Sequence, residues 1–342
     1  MADADTLGLG VVGAGYWGKN IVRNMARVSG ARLRTVADLS ESNLTRAKNL
    51  VPGVHTTQSY DELVDDPEIH AIAVCTEASS HYELAQKALK AGKHVFVEKP
   101  LTLQADQSER LVGLAKAHDR VLMVGHLMIH HPAVRWIKGQ LDSGDFGDAF
   151  YIYLQRVNLG VVRKDESAWW SLAPHDISIV LYLFGDTPTH ISARGAAYLR
   201  PANEDVVFAN LKFADGRMAE IHTSWLDPHK ARKLTLVGSR KMVTFDDTLP
   251  REKVRVYDKG ADRTVDYESY ADLITLRQGD IWIPAIRGTE PLLLECQHFV
   301  DCITSGRVPD TPGQQGLDVV RILQAGQQSM REDGAPVALP RG

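Results

Sequence analysis

The chain has 342 residues, 44% of them hydrophobic and 24% charged, with a formal net charge of −4. That length suits two domains rather than one small core, and the mild acidity argues against a general affinity for nucleic acid or anionic membrane. Three cysteines, Cys75, Cys296 and Cys302, are too few and too scattered for a disulfide framework or a metal cluster, and they suit a reducing compartment.

The acidic start, Met1–Asp5, leads directly into an apolar strand and lacks a signal-peptide pattern. No apolar run reaches spanning length, so a soluble, cytoplasmic protein with no membrane partner is expected. Residues 7–12 read as a short buried strand, followed by Gly13-Ala14-Gly15-Tyr16-Trp17-Gly18 and a helix to about 28. The glycines stand where a dinucleotide loop needs them. Gly13 suits the tight turn, Gly15 the close approach of a pyrophosphate, and Gly18 close helix–strand packing. A second strand at 32–37 ends in Asp38, placed to hold the ribose hydroxyls of the cofactor's adenosine half. Asp38 would repel a 2′-phosphate and Leu39 offers no cation, so NAD is expected rather than NADP.

Further strands are predicted near 70–75, 93–97 and 120–124, with helices near 41–49, 59–64, 80–91 and 104–117. Alternation of this kind implies a parallel, doubly wound sheet. The loop Thr76–His81 then falls at a strand end facing the cofactor, with Thr76 and His81 as candidate contacts. Glu98-Lys99-Pro100 falls at the end of the next strand, on the rim where the reactive ring would lie.

From about residue 126 the pattern changes. Strands are predicted near 148–158, 189–199, 205–214, 217–226, 232–238 and 241–246, with turns at Asp215-Gly216 and Gly238-Ser239. Helices are predicted near 168–183, 292–304 and 313–330. The expected architecture is a cofactor-binding domain over 1–125 and an α+β domain over 126–342, built on an open, mostly antiparallel sheet, with a cleft between them. An open sheet with one apolar face needs covering, which predicts a homodimer or homotetramer joined through it.

Lys99 is the first catalytic candidate, because a lysine in a cleft loses hydration and becomes a useful proton partner. Arg156, Asn158 and Arg163 form a polar set after a strand. An arginine fork suits a diphosphate or carboxylate, and an asparagine suits sugar hydroxyls. Trp169 and Trp170 suit either a sugar-covering or a core role. His126 and His130 stand four apart without a carboxylate partner, and Pro132 limits the local helix, so no metal site is expected.

Taken together, Gly13–Gly18, Thr76–His81, Glu98-Lys99-Pro100, Gly125-His126, the segment around His175 and Glu295-Cys296-Gln297-His298-Phe299 resemble the Gfo/Idh/MocA family of sugar and cyclitol oxidoreductases, along nearly the whole chain. The runs 155–160, 170–177, 279–284 and 290–292 resemble its subgroup acting on nucleotide-linked sugars. The resemblance implies an N-terminal Rossmann domain and NAD-dependent oxidation of the 3-hydroxyl of UDP-N-acetylglucosamine or a related UDP-sugar, with an aminotransferase using the keto product. It also implies that Glu98 contacts the nicotinamide ribose and that His175 is the general base, sharing the substrate site. Tyr16 and Trp17 join the cofactor set as part of the glycine loop. The chain departs from the family at Ser171, where many members carry an aspartate four residues before the histidine, on the same helix face. Lys99 and His175 are then expected to act without that carboxylate. Competing readings are an NADP-linked 3-ketoreductase, a free-sugar or inositol dehydrogenase, and a non-catalytic dinucleotide sensor on the same fold.

Overall fold

The computed structural model describes residues 6–160, 162–163, 166–201, 203–265 and 272–340. The acidic start at 1–5, on which the signal-peptide expectation bears, lies outside them. In chain order the elements are β1 (Leu7–Val12), α1 (Gly18–Met25), β2 (Ala31–Ala37), α2 (Glu41–Leu50), β3 (His55–Thr57), α3 (Tyr60–Asp65), β4 (Ala71–Val74), α4 (Ala78–Lys90), β5 (His94–Glu98), α5 (Ala105–Ala117) and β6 (Leu122–Gly125). A 3-10 turn, Leu127–His130, leads to α6 (Pro132–Asp142), β7 (Ala149–Val157), α7 (Ala168–Phe184), β8 (His190–Ala196), β9 (Val206–Lys212), β10 (Met218–Ser224), β11 (Ala231–Gly238) and β12 (Met242–Asp246). The chain continues through β13 (Val254–Val265), β14 (Asp272–Trp282), α8 (Pro291–Ser305), α9 (Gly313–Arg331) and β15 (Val337–Ala338).

Two compact units result. The first joins the residues up to His130 with Thr289–Arg321; the second holds His131–Gly288 and the residues from Ile322. The sequence reading places a single boundary at 125/126. The fold returns residues 289–321 to the first unit because α8 carries an apolar stripe that this unit buries. Cys296, Phe299 and Val300 pack with Met25, Cys75 and Phe96, and the rings of Phe96 and Phe299 meet edge to face at 5.8 Å.

In the first unit, among the described residues, six parallel strands run in the order β3-β2-β1-β4-β5-β6. Strands covered on both faces must be apolar throughout, and Ala71-Ile72-Ala73-Val74 of β4 is buried at every position. The order reverses between β1 and β4, which makes the ends of these two strands the crevice where such sheets take ligands.

The second unit holds nine strands among the described residues, ordered β14-β13-β12-β11-β7-β10-β9-β8-β15 and antiparallel except for the parallel pair β7–β10. The hairpins expected at Asp215-Gly216 and Gly238-Ser239 join β9 to β10 and β11 to β12. Alternation sorts the sheet faces: Ile152, Leu154, Ala209, Leu211, Ala219 and Ile221 are buried, while Tyr151, Tyr153, Phe208 and Met218 are exposed. Helix α7 packs against β7, β9 and β10. It ends at Gly185 in the left-handed region (φ 65°), where glycine carries no Cβ penalty.

Several elements lie outside the expected set. Pro132 follows the end of the short turn Leu127–His130, and it also starts a helix that was not expected. It sits in the first turn of α6, where no N–H partner is required, and His131 Nδ1 caps the helix by accepting from Ala133 N at 3.1 Å. Strand β3 is too short to leave a periodic signal. The β13–β14 pair escapes because Asp258-Lys259-Gly260-Ala261-Asp262-Arg263 lacks alternation.

Candidate functional site

In the first unit the candidate cofactor site grows from backbone constraints. Gly13 has φ 89°, which a side chain would strain, and a Cβ at Gly18 would run into the Gly13 carbonyl oxygen. Around Gly15 the outcome is opposite: a Cβ there would meet nothing within 4 Å. The outer side of the turn is therefore open, as a pyrophosphate requires. No side chain caps the start of α1, because its N-cap is Trp17. Asp38 closes the loop from the next strand. Its Oδ2 accepts from Ala14 N at 2.6 Å, and its Oδ1 accepts from Ser40 N and Asn43 Nδ2 at 2.8 and 3.1 Å. The acidic residue is thus locked beside the glycine turn with lone pairs to spare for ribose hydroxyls. Tyr16 is 84% exposed above the turn, and Leu39 is exposed beside Asp38. These residues fit an NAD molecule.

Trp17 ties this loop to the lysine strand: its Nε1 donates to Glu98 Oε1 at 2.6 Å. Glu98 Oε2 accepts from the Lys99 backbone N at 3.2 Å. Gly125, opposite on β6, leaves room for the carboxyl, since a Cβ there would approach Glu98 Oε2 to 3.1 Å. Burial pushes the Glu98 carboxyl up, against the opposing pull of the Trp17 bond and the Lys99 charge. The Lys99–Pro100 bond is cis, and Lys99 is half-buried where the chain leaves β5.

His81 is placed otherwise than a cofactor contact would be. It is 1% exposed, and its ring nitrogens face the carbonyls of Pro100 (2.9 Å) and Thr76 (3.1 Å). Its work is to pin the Lys99–Pro100 turn to the Thr76 loop, whose Thr76 Oγ1 pairs with Ser80 Oγ at 2.7 Å. Burial lowers its pKa against the raising effect of the two carbonyls, with Lys99 adding to the fall, and a neutral ring donates its one N–H to only one of them.

Two residues named in the sequence reading without a role at the cofactor site are buried in this unit. His126 is fully buried, neither ring nitrogen has a hydrogen-bond partner among the described residues, and burial with the nearby Lys99 charge pushes it down to about 3. Glu295 of α8 is also fully buried with both oxygens unpartnered; burial first, then the Glu98 charge, raises it well above the carboxylate range. Among the described residues no group of three or more His, Cys, Asp or Glu is placed to hold a metal ion.

In the second unit the charged candidates are already engaged. Arg156, at the end of β7, grips Asp176 of α7: Nε lies 3.0 and 3.1 Å from its oxygens and Nη2 lies 2.7 Å from Oδ1, in a buried setting. This Arg–carboxylate fork fastens helix to sheet, so Arg156 is not the open anion fork that the strand position suggested. Burial raises Asp176 and Arg156 opposes that. Arg163 pairs with Glu166 at 2.7 Å, and Ser171 Oγ donates to the same Glu166 Oε1 at 3.2 Å. Asn158 is half-buried and its backbone N–H donates to Ser224 O at 3.1 Å. His175 is half-buried one turn after Ser171, and its carbonyl accepts from Ser178 Oγ at 2.9 Å. Trp169 proves to be core, fully buried with Nε1 donating to Leu323 O at 2.9 Å; Trp170 donates to Gln327 Oε1 at 3.1 Å.

Comparison with known proteins agrees with this geometry. Residues 7–126 match the NAD-binding Rossmann domain of an oxidoreductase family, and residues 138–339 match that family's C-terminal α/β domain. The chain is 26% identical to the UDP-N-acetylglucosamine 3-dehydrogenase of Acidithiobacillus ferrooxidans, over 74% of this chain and 77% of that protein. It is 26% identical to the scyllo-inositol 2-dehydrogenase (NAD(+)) of Bacillus subtilis, over 97% and 95% of the two chains. The solved structure of the Acidithiobacillus enzyme shares the fold with a TM-score of 0.78 at 24% identity, covering 96% of this chain and 98% of that one. The chain belongs to the Gfo/Idh/MocA oxidoreductase family, as an NAD-binding Rossmann domain joined to the family's C-terminal α/β domain.

Proposed function

We propose that the protein is an NAD-dependent dehydrogenase that oxidises the 3-hydroxyl of a nucleotide-linked sugar of the UDP-N-acetylglucosamine kind to a 3-keto sugar. The observation that carries the reading is the Trp17–Glu98–Lys99 arrangement, which joins the glycine loop to a lysine at the end of β5. NAD, when bound, accepts the hydride from the carbinol carbon. Gly13, Gly15, Gly18 and Asp38 hold its diphosphate and adenosine ribose, with Tyr16, Trp17 and Thr76 along its length and Glu98 at the nicotinamide ribose. Lys99 orients the substrate hydroxyl by donating to its oxygen. His175 takes the hydroxyl proton as the C–H bond breaks and the C=O bond forms, so the products are a ketone, NADH and one proton. Asn158 binds sugar hydroxyls and Arg163 the charged part of the substrate. Asp38 disfavours an NADP-linked ketoreductase.

A second reading draws on the arginines. Arg156 and Arg163, the cations expected to meet a diphosphate, are paired with Asp176 and Glu166. That favours a neutral cyclitol or free sugar, and a relative acts on scyllo-inositol. One experiment separates the readings: NADH absorbance with NAD and a panel of UDP-hexoses, free hexoses, myo-inositol and scyllo-inositol. Turnover of UDP-N-acetylglucosamine well above the inositols supports the first reading, and the reverse order supports the second. NAD binding without turnover of any member would replace both with a sensor.

The keto product suits an aminotransferase, which would be the consuming reaction. Tyr151, Tyr153, Phe208 and Met218, exposed on one face of the sheet, suit burial against a second copy of the chain. Sedimentation of a Tyr153→Glu/Met218→Glu variant tests that: loss of a dimer or tetramer supports it, and a wild-type monomer rejects it. Among the described residues no helix is long and apolar enough to cross a membrane, and a cytoplasmic setting remains part of this proposal.

A further inference from the structure

The second unit has a cavity of about 370 Å³ at the end of β7. Gln155 of that strand lines it, with Asp227, His229 and Lys230 of the segment joining β10 to β11, Lys233 of β11 and Asp246 at the end of β12. Its volume falls in the range of pockets that take small molecules, about 300–1,000 Å³. Strand register assembles it: Lys233 stands opposite Gln155 on one side and opposite Asp246 on the other. Lys233 Nζ lies 3.6 Å from Asp246 Oδ2, and Asp227 Oδ1 accepts from His229 N at 2.8 Å. Lys230 is exposed and, among the described residues, makes no ion pair.

The cavity adjoins Asn158, the residue proposed for sugar hydroxyls. Val157 lines the cavity and Asn158 follows it in the chain. Asn158 N donates to Ser224 O at 3.1 Å and Gly160 N to Trp225 O at 3.4 Å. The chain leaving β7 therefore runs along the start of the segment that carries Asp227, His229 and Lys230. Arg156 points to the opposite face of β7 by alternation, and there it holds Asp176, the residue after His175. The turn of α7 that carries the histidine is thus fastened at the same strand end.

The mixture in the lining decides what it can hold. A bare phosphate would meet Asp227 and Asp246 as well as the lysines. A neutral cyclitol would use the carboxylates and leave Lys230 idle. A nucleoside diphosphate uses both: its phosphate oxygens accept from ammonium groups, its ribose hydroxyls donate to carboxylates, and its base edge pairs with an amide such as that of Gln155. The arginines of this unit do not meet that need by themselves, since Arg156 is held by Asp176 and Arg163 is paired with Glu166.

We propose that this cavity is the nucleotide subsite of the substrate, with Lys230 and Lys233 on the diphosphate and Asp227 and Asp246 on the ribose hydroxyls, while the sugar end reaches Asn158. The inference rests on the nucleotide-sugar reading, and it makes Lys230 a residue that selects nucleotide-linked over free sugars.

The test uses the full-length enzyme loaded with NAD, and UDP as the probe in titration calorimetry. UDP should bind the wild type, and Lys230→Glu, a change at an exposed side chain, should weaken it about 10- to 100-fold. In the same variant, kcat/KM for UDP-N-acetylglucosamine should fall about tenfold more than kcat/KM for free N-acetylglucosamine or scyllo-inositol. A wild type that binds no UDP overturns the inference, and so does a Lys230→Glu enzyme with wild-type UDP affinity. The reading beneath it is judged apart. UDP binding that needs Lys230, in an enzyme that turns over only inositols, keeps the nucleotide site and removes the 3-dehydrogenase reading. Turnover of UDP-sugars by an enzyme indifferent to Lys230 keeps that reading and removes the site.

Discussion

The two units bury charge in opposite ways. Around Lys99, the first unit encloses titratable groups singly: His126 and Glu295 are wholly buried and bond to nothing among the described residues. Around α7, the second unit pairs the charges it encloses, with the buried Arg156 fork on Asp176. A lone buried group stays neutral and its ionisation moves far from the ordinary value; a paired one stays charged and spends its field on its partner. The first arrangement suits a place where a nicotinamide must meet a low-dielectric surface. The second fastens a helix to a sheet.

Acid should break the first unit before the second, and this is the largest effect expected. His126 sits at about 3 when folded against 6.5 ordinarily. Between those values the folded chain binds fewer protons than the unfolded chain, so the contribution is full above about pH 6.5 and lost as pH falls toward 3, roughly 4–5 kcal/mol in all. Denaturation midpoints of wild type and His126→Leu across that window measure it, and an unchanged acid limb in the variant would remove the contrast. Burial also pushes His94 down to about 4, so a smaller acid limb persists.

Next in size is the paired side. Arg156→Ala leaves Asp176 buried and alone, a loss of about 3–5 kcal/mol, whereas Arg156→Met with Asp176→Leu should come out near neutral. Equal losses in the single and double variants would show that the pair does not behave as a unit. Smaller again is the glycine pair. Gly18→Ala must displace the Gly13 carbonyl and should cost about 1–3 kcal/mol. Gly15→Ala has open space, so its melting temperature should hold while NAD affinity falls. A fall in stability for Gly15→Ala would deny that the loop's outer side is reserved for a ligand. The smallest change is a gain: Glu295→Leu removes two unpartnered oxygens from an apolar setting and should stabilise by about 1 kcal/mol. A loss would reveal a partner for Glu295 that the lone-group picture omits.

The same contrast explains what could be read from the sequence. The glycine loop is a set of backbone demands, and backbone demands select residue types at fixed offsets, so Gly13, Gly15, Gly18 and Asp38 were legible. Lys99 was legible because strand alternation places it at a strand end on the ligand side of a doubly wound sheet. The second unit's site is made of side-chain pairs, and pairing follows from packing. Arg156 and Asp176 lie twenty residues apart and belong to different elements, so nothing local marks them as partners. Glu166 carried no signal at all, since a glutamate before a helix reads as solvated. Glu295 entered only as part of the 295–299 run that carries the resemblance, and it is α8's return to the first unit that buries it. Pro132 was read only as a limit on the segment before it, and proline opens helices as readily as it ends them.

That return of α8 bears on how the protein is made. Phe96 and Cys75 are synthesised early, but Cys296 and Phe299, which pack with them, emerge only after His131–Gly288 of the second unit has been translated. At ordinary rates of roughly 5–20 residues per second, the apolar face of the first sheet waits about ten seconds or longer for its cover. The nascent chain therefore passes through a stage in which those residues lack the partners that cover them, a natural point for a chaperone to hold it and for a truncated chain to aggregate.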